Sequence, residues 1–321
     1  MANKVKIQDM ASEETENNIF VGCRFRGPSS STDYVMPESY KNIADDILNL
    51  AARPDDVWVT GYIRSGTTLT QELVWQVATE CDVETASKIP LMTRYMFLEG
   101  QMSVGFMKSK MKGEVNERVY TFKEINSAPS PRFIKSHAPF SLLPSNLLDT
   151  TKVVYIARDP RDVAVSVYQF SKKIFQYLGD FKMLWNIFVN DLYMFSPIME
   201  HVKEAWELRH HPNMMFIFYE DMIKDIPSYI KRVADFLNKE LTDDQISKLT
   251  EHLNIKNFRK NDSVNPTWLA KGGNPDGEDF VRKGGAGGWR QYFDEEMAAQ
   301  AQRWMAEHLA GSDLRFPDHT C

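Results

Sequence analysis

The chain reads as one α/β domain, a P-loop-like central parallel sheet flanked by helices, and three observations predict it. Short apolar runs at Val57 to Thr60, Val153 to Ala157 and Met215 to Tyr219 are each followed by helical periodicity; strand, loop and helix repeated in this way pair the strands in parallel. Directly after the first run, Gly61-Tyr62-Ile63-Arg64-Ser65-Gly66-Thr67-Thr68 has the spacing of a phosphate loop. A chain of 321 residues, 43% hydrophobic, can bury one large core without splitting into two.

Taken in order, residues 1–18 read as a flexible polar tail, acidic and without an apolar signal core, and residues 19–321 as the folded domain. Tyr40 to Leu50 has helical spacing before the turn Arg53-Pro54-Asp55-Asp56, and Thr67 to Thr79 is the helix that follows the first strand. Phe133-Ile134-Lys135-Ser136-His137-Ala138-Pro139 sets a histidine just past a short strand. Asp162 to Lys172, Met183 to Leu208, Ile226 to Leu237, Thr242 to His252 and Glu296 to Leu309 carry helical periodicity. Two stretches break the compact pattern. Gly100 to Asn126 intersperses Met102, Phe106, Met107 and Met111 with Lys108, Lys110 and Lys112, and reads equally as a lid or as a solvated amphipathic helix. Gly272 to Gly288 holds Arg282 and Lys283 among glycines that let backbone N–H groups approach an anion; an ordinary loop is the alternative.

Composition excludes several classes. Lys and Arg total 38 against 44 Asp and Glu, so a net charge of -6 argues against a nucleic-acid or acidic-membrane binder and leaves any basic site local. Cys23, Cys81 and Cys321 are odd in number and scattered, as expected for reduced thiols in a cytoplasmic protein, and no run is long and apolar enough to span a membrane.

The phosphate loop carries Thr67 where an ATPase needs lysine. Its N–H groups and helix N-terminus can hold an anion, Thr67 and Thr68 add hydroxyls, and Arg64 supplies the positive charge; the plain alternative is a glycine-containing strand-to-helix turn. In Val153-Val154-Tyr155-Ile156-Ala157-Arg158-Asp159-Pro160-Arg161-Asp162-Val163-Ala164-Val165-Ser166, Arg158 can present its fork to a phosphate while Ser166 donates a hydroxyl. Arg158 and Arg161 read equally as salt-bridge partners of Asp159 and Asp162. His137 is a general base near neutral pH or a hydrogen-bonded turn residue, and alone favours the turn.

In this order and spacing the clusters resemble the cytosolic sulfotransferases that use 3′-phosphoadenosine 5′-phosphosulfate (PAPS), over nearly the whole chain from Ile19. The resemblance implies that Arg64, Ser65, Gly66, Thr67 and Thr68 hold the 5′-phosphosulfate, and that Arg158 and Ser166 bind the 3′-phosphate with Phe280, Arg282, Lys283 and Gly284. It implies Tyr219 and Leu69 near the adenine, Phe25, Phe97 and Phe170 beside His137 in the acceptor pocket, and no metal. His137 would act as the base on an acceptor hydroxyl, with Lys135 and Arg64 stabilising charge on the sulfuryl and leaving-group oxygens. The implied partner is a small lipophilic phenol or alcohol; the implied product nucleotide is adenosine 3′,5′-bisphosphate (PAP).

Four departures bear on that expectation. Arg64 stands where most members have a catalytic lysine, and Leu69 replaces a tryptophan that stacks on adenine. Arg290, Asp294 and Glu295 alter the short C-terminal dimer motif, so the resemblance does not carry that dimer to this chain. Gly100 to Asn126 is longer than its counterpart in typical members and resembles the insertion of insect retinol dehydratase, which implies dehydration of an allylic alcohol as an alternative. A non-catalytic nucleotide binder, suggested by Arg64 and Leu69, is another. A P-loop kinase is a third, disfavoured by Thr67.

Overall fold

The computed structural model describes residues 4–10, 22–102, 119–264 and 284–318. Most of Gly100 to Asn126, Phe280, Arg282, Lys283 and Cys321 lie outside the described residues.

Five strands form the parallel sheet in the order β5-β6-β4-β7-β8, where β4 is Val57–Thr60, β5 Met96–Phe97, β6 Phe133–Ser136, β7 Lys152–Ala157 and β8 Met214–Phe218. Along β7 the buried side chains alternate between two cores: Val153, Tyr155 and Ala157 join one, Val154 and Ile156 the other. A period of two that feeds apolar groups into both faces is the mark of a covered parallel strand, so the short runs are apolar throughout rather than alternating with polar residues. The helices Thr67–Ala78, Ile226–Leu237 and Asp243–Leu253 cover one face. Pro160–Ile174, Phe181–Val189, Ile198–Glu207 and Glu295–Leu309 cover the other, around Trp185, Phe188 and Trp304.

Four expectations need correction. Residues 6–9 are not a free polar tail: β1 (Lys6–Asp9) pairs antiparallel with β2 (Gly22–Arg26), which pairs with β3 (Tyr34–Pro37). Its side chains are all exposed, so no apolar pattern announces it, and it is held by backbone pairing and by the Lys41 ammonium on Asp9 at 2.9 Å. Met183 to Leu208 is two helices, because Asp191 and Phe195 take positive φ (57° and 67°) before Pro197, and helix needs negative φ. Tyr40 to Leu50 divides into a 3₁₀ turn, Glu38–Asn42, and the helix Ala44–Leu48. The strand expected at Met215 to Tyr219 is Met214–Phe218, with Tyr219 opening a short helix, Tyr219–Lys224.

A buried ion pair secures the start of β4. Arg132 donates from Nε to Asp56 at 2.8 Å, from Nη1 to the Ile125 carbonyl at 3.2 Å and from Nη2 to the Ala51 carbonyl at 2.7 Å, and both charged side chains are fully buried. Removing one partner strands the other charge. Asp56→Ala is therefore expected to lower unfolding free energy by about 3–5 kcal/mol, and an apolar double replacement, Asp56→Leu with Arg132→Met, to recover part of it. Urea unfolding of the three proteins measures this; a single variant as stable as the parent would contradict it.

Candidate active site

Parallel register brings the functional turns to one edge. Thr60 at the end of β4 pairs with Ser136 at the end of β6 and with Tyr155 of β7, so the phosphate loop, His137 and Arg158 all emerge at the C-terminal ends of adjacent strands. That edge is where open α/β sheets bind ligands.

The phosphate loop is tightly specified. Gly66 caps the helix Thr67–Ala78 at φ 107°, and a Cβ there would sit 2.4 Å from Cδ2 of Tyr219, so both backbone and neighbour demand glycine. Arg64 takes φ 68°, an uncommon conformation for a side chain of its size. Tyr62 anchors the loop from below, its hydroxyl donating to the Met194 carbonyl at 3.1 Å.

Arg64 turns toward the helix Pro160–Ile174. Its Nε donates to Ser166 Oγ at 3.2 Å, and its guanidinium lies 5.1 Å from the centre of the Phe170 ring. Arg158 meets the same group, donating to the Arg64 carbonyl at 3.4 Å and to the Gly285 carbonyl at 3.0 Å, with its guanidinium over Tyr219 at 4.6 Å. Asp162 pins the glycine segment, accepting from Gly287 N–H at 2.7 Å and Trp289 N–H at 2.8 Å. The salt-bridge alternative therefore holds for Arg161, paired with Asp159 at 2.6 Å, whereas Arg158 donates to carbonyls. Gly284 packs on Ile255 at φ 56°.

Two buried polar atoms at this locus have no partner among the described residues: Ser65 Oγ and Arg158 Nε. An orphaned buried donor costs about 1–3 kcal/mol, and an anion taking both would remove that cost. The donor set of Ser65, Thr67, Arg64, Arg158 and Ser166 thus fits a ligand with two phosphate groups. Leu69, half-buried against the second core, offers no aromatic face.

His137 is held at three points. Its Nδ1 lies 2.7 Å from the Gly61 carbonyl, which can only accept, so Nδ1 carries the proton and Nε2 keeps its lone pair. Its backbone N–H donates to Glu99 Oε1 at 3.0 Å, and its carbonyl accepts from His201 Nε2 at 3.0 Å. The ring stands edge-on to Phe97 and Phe195, centroids 5.5 and 5.6 Å away, and the Lys135 ammonium sits 4.4 Å from the Phe97 ring centre. Burial, then the Lys135 charge, keeps the imidazole well below the ordinary histidine value, so it is neutral at pH 7. Phe25 is fully buried beside Tyr40 at 4.9 Å, inside the first core.

The geometry joins His137, Lys135 and Phe97 in one cluster, and Arg64, Arg158, Ser166 and Phe170 in a second. Gly61 links them. Glu99, His201, Tyr62 and Phe195 escaped sequence reasoning. Their partners lie 38, 64, 132 and more positions away, and no local motif marks such pairs.

Comparison with known proteins agrees with the site. The sulfotransferase domain family matches residues 54–313. The chain belongs to the sulfotransferase family. Luciferin sulfotransferase of Photinus pyralis is 31% identical over 86% of this chain and 77% of its own, and sulfotransferase 1A1 of Rattus norvegicus is 30% identical over 84% and 90%. Among solved structures, retinol dehydratase in complex with androsterone and the inactive cofactor PAP superposes with a TM-score of 0.89 at 38% identity, covering 99% of this chain and 100% of that one. A complex of retinol dehydratase with retinol and PAP gives 0.87 at 39% with the same coverage. Mouse sulfotransferase SULT7A1, at 20% identity and a TM-score of 0.68, shares the fold. Among the described residues of this sulfotransferase, no helix is long and apolar enough to cross a membrane.

Behind His137, burial pushes His201 down to about 4. Above pH 6.5 it is neutral folded and unfolded; as pH falls, the unfolded chain takes a proton that the folded chain refuses until about pH 4, so stability drops across that window. At about 1.4 kcal/mol per unit the loss approaches 3 kcal/mol. Glu220, pushed up to about 7 by burial, acts with the opposite sign between pH 4.5 and 7. The difference between parent and His201→Gln isolates the histidine: the variant's stability is expected to fall less between pH 6.5 and 4 in urea titrations at fixed salt, and parallel profiles would refute the assignment.

Proposed function

We propose that the chain transfers the sulfuryl group of PAPS to the hydroxyl of a small lipophilic phenol or alcohol, with His137 as general base, as a single cytoplasmic domain that takes in the strand Lys6–Asp9 as well as the residues from 19 on. The observation that carries the reading is the His137 to Gly61 bond: the carbonyl that opens the phosphate loop fixes the histidine tautomer and leaves Nε2 able to accept a proton beside that loop. The PAP complexes of the retinol dehydratase relatives support the nucleotide.

When bound, PAPS supplies the sulfuryl group; all else falls to the protein. Ser65, Gly66, Thr67 and Thr68 would hold the 5′-phosphate, and Arg158 and Ser166 the 3′-phosphate, joined by Gly284 and by Phe280, Arg282 and Lys283 outside the described residues. Tyr219, packed between Gly66 and Arg158, would border the nucleotide base. His137 removes the acceptor's hydroxyl proton at Nε2 as the oxygen becomes nucleophilic. Lys135 and Arg64 stabilise the charge that develops on departing oxygens. Phe97 and Phe195 frame the base with apolar surface, which suits a lipophilic acceptor.

Labelled PAPS incubated with a panel of phenols, sterols and retinoids tests the reading. A labelled ester formed with stoichiometric PAP supports it, and no transfer to any acceptor by protein that binds PAP would overturn it in favour of a nucleotide binder. A second reading, dehydration, is favoured by retinol dehydratase matching 99% of the chain, and it predicts an anhydro product from an allylic alcohol in the same assay.

His137→Ala is expected to lower kcat by about 10²–10⁴ while PAP affinity stays within a few-fold. Turnover within a few-fold of the parent would show that the base lies elsewhere.

Arg64→Met is expected to cost about 10²–10³ in kcat, and Arg64→Lys much less. Equal activity of the two variants would make Arg64 a structural strut of Ser166. For Arg158→Met, calorimetry is expected to show a larger loss of affinity for PAP than for adenosine 5′-phosphate, by about 1.5–3 kcal/mol, the contribution of a charge-assisted bond.

A further inference from the structure

We propose that Glu99 is a positioning residue that holds the His137 imidazole in register with the phosphate loop. The inference rests on His137 as base, and nothing in the family match assigns Glu99 a role.

Glu99 follows β5 and is fully buried. One oxygen, Oε1, receives Ser136 Oγ–H at 2.5 Å, His137 N–H at 3.0 Å and Ala138 N–H at 2.9 Å, all from the turn that carries the base. No cation bonds it among the described residues, and burial raises its carboxyl above the usual value. Burying a carboxylate without a countercharge is costly, and closing the turn does not require it, because Ser136 Oγ already accepts from Ala138 N–H at 3.0 Å. What the carboxylate adds is a rigid link between β5 and the backbone of His137. Leu98 N–H donates to the Lys135 carbonyl at 3.0 Å, so the link runs beside the lysine as well.

The consequence is geometric. With the His137 carbonyl fixed by His201 and Nδ1 by Gly61, the Glu99 bond removes the remaining freedom of the main chain to tilt. Nε2 then has one direction to face. Without Glu99 the turn is held by Ser136 alone, the Nδ1–H to Gly61 bond opens more often, and the base loses alignment with the acceptor. A displacement of about 1 Å in a reacting group costs on the order of 10²-fold in rate.

Selective ¹⁵N labelling of histidine lets the His137 Nδ1–H be followed by NMR, its signal assigned by loss in His137→Ala. In Glu99→Ala we expect exchange of that proton with water to quicken by about tenfold or more, kcat for a phenol to fall by about 30–100-fold, and PAP affinity to stay within threefold. Glu99→Gln, which keeps an acceptor oxygen, is expected to restore kcat to within about fivefold. Should Glu99→Ala fail to fold, Ser136→Ala removes one of the three donors and is expected to quicken exchange by about threefold. Unchanged exchange in a folded variant overturns the proposal whatever the rate does, as does a loss of PAP affinity that parallels the loss of kcat. If instead His137→Ala remains active, the base assignment fails, and the exchange measurement alone decides what Glu99 does.

Discussion

The rest of the site depends on the parallel register of β6, β4 and β7. Because Thr60 pairs with both Ser136 and Tyr155, β4 and β6 end at one level and β7 runs two residues further, and the chain leaves each of them with a turn at the same edge of the sheet. Side chains from two distant stretches can then share hydrogen bonds with main-chain atoms of one loop. His137 reaches the Gly61 carbonyl and Arg158 reaches the Arg64 carbonyl, so the phosphate loop is gripped from both sides by its own neighbouring strands. A one-residue slip would reverse the faces of β6 and take Lys135 and His137 away from the loop.

Electrostatics follow from this packing. Lys135 and Arg64 gather positive charge on a protein whose net charge is -6, and the charge is concentrated where an anion fits rather than spread over the surface. The same charges disfavour protonation of His137, which keeps its lone pair available at neutral pH. Arginine at position 64 fits this arrangement in a way a lysine would not. Its planar fork bonds Ser166 and lies against Phe170, so one side chain spans the phosphate loop and the helix Pro160–Ile174.

Much of this was legible in the sequence where the signal is local. Val57–Thr60 and Ile226–Leu237 were readable residue for residue, because an apolar run bounded by turn residues and a helical period bounded by Asp225 and Asn238 are complete within their own segments. The phosphate loop was readable for the same reason. Strand Lys6–Asp9 was not, since its four side chains face solvent and it is held by main-chain pairing and by polar contacts to Asp9 rather than by an apolar pattern. The break inside Met183 to Leu208 was marked only by Pro197, while the positive φ of Asp191 and Phe195 that ends the first helix has no local sequence signal. Glu99 was invisible for a third reason: a lone acidic residue after a short strand looks like surface, and only the fold reveals that three donors converge on it.

Phe195 shows how far such non-local constraints reach. A bulky residue at φ 67° is strained, at a typical cost of about 1–3 kcal/mol, and persists only where its surroundings over-determine it. Here they do: its N–H donates to the Val35 carbonyl at 2.7 Å, the Tyr62 hydroxyl holds the preceding carbonyl of Met194, and its ring fills the space beside His137. Tyr62 belongs to the phosphate loop and Val35 to β3, so the small antiparallel sheet, the phosphate loop and His137 meet at this one residue. The antiparallel sheet is thus more than a decoration on the parallel core. It braces the wall that keeps water from the histidine, and burial against that wall keeps the imidazole neutral and desolvated.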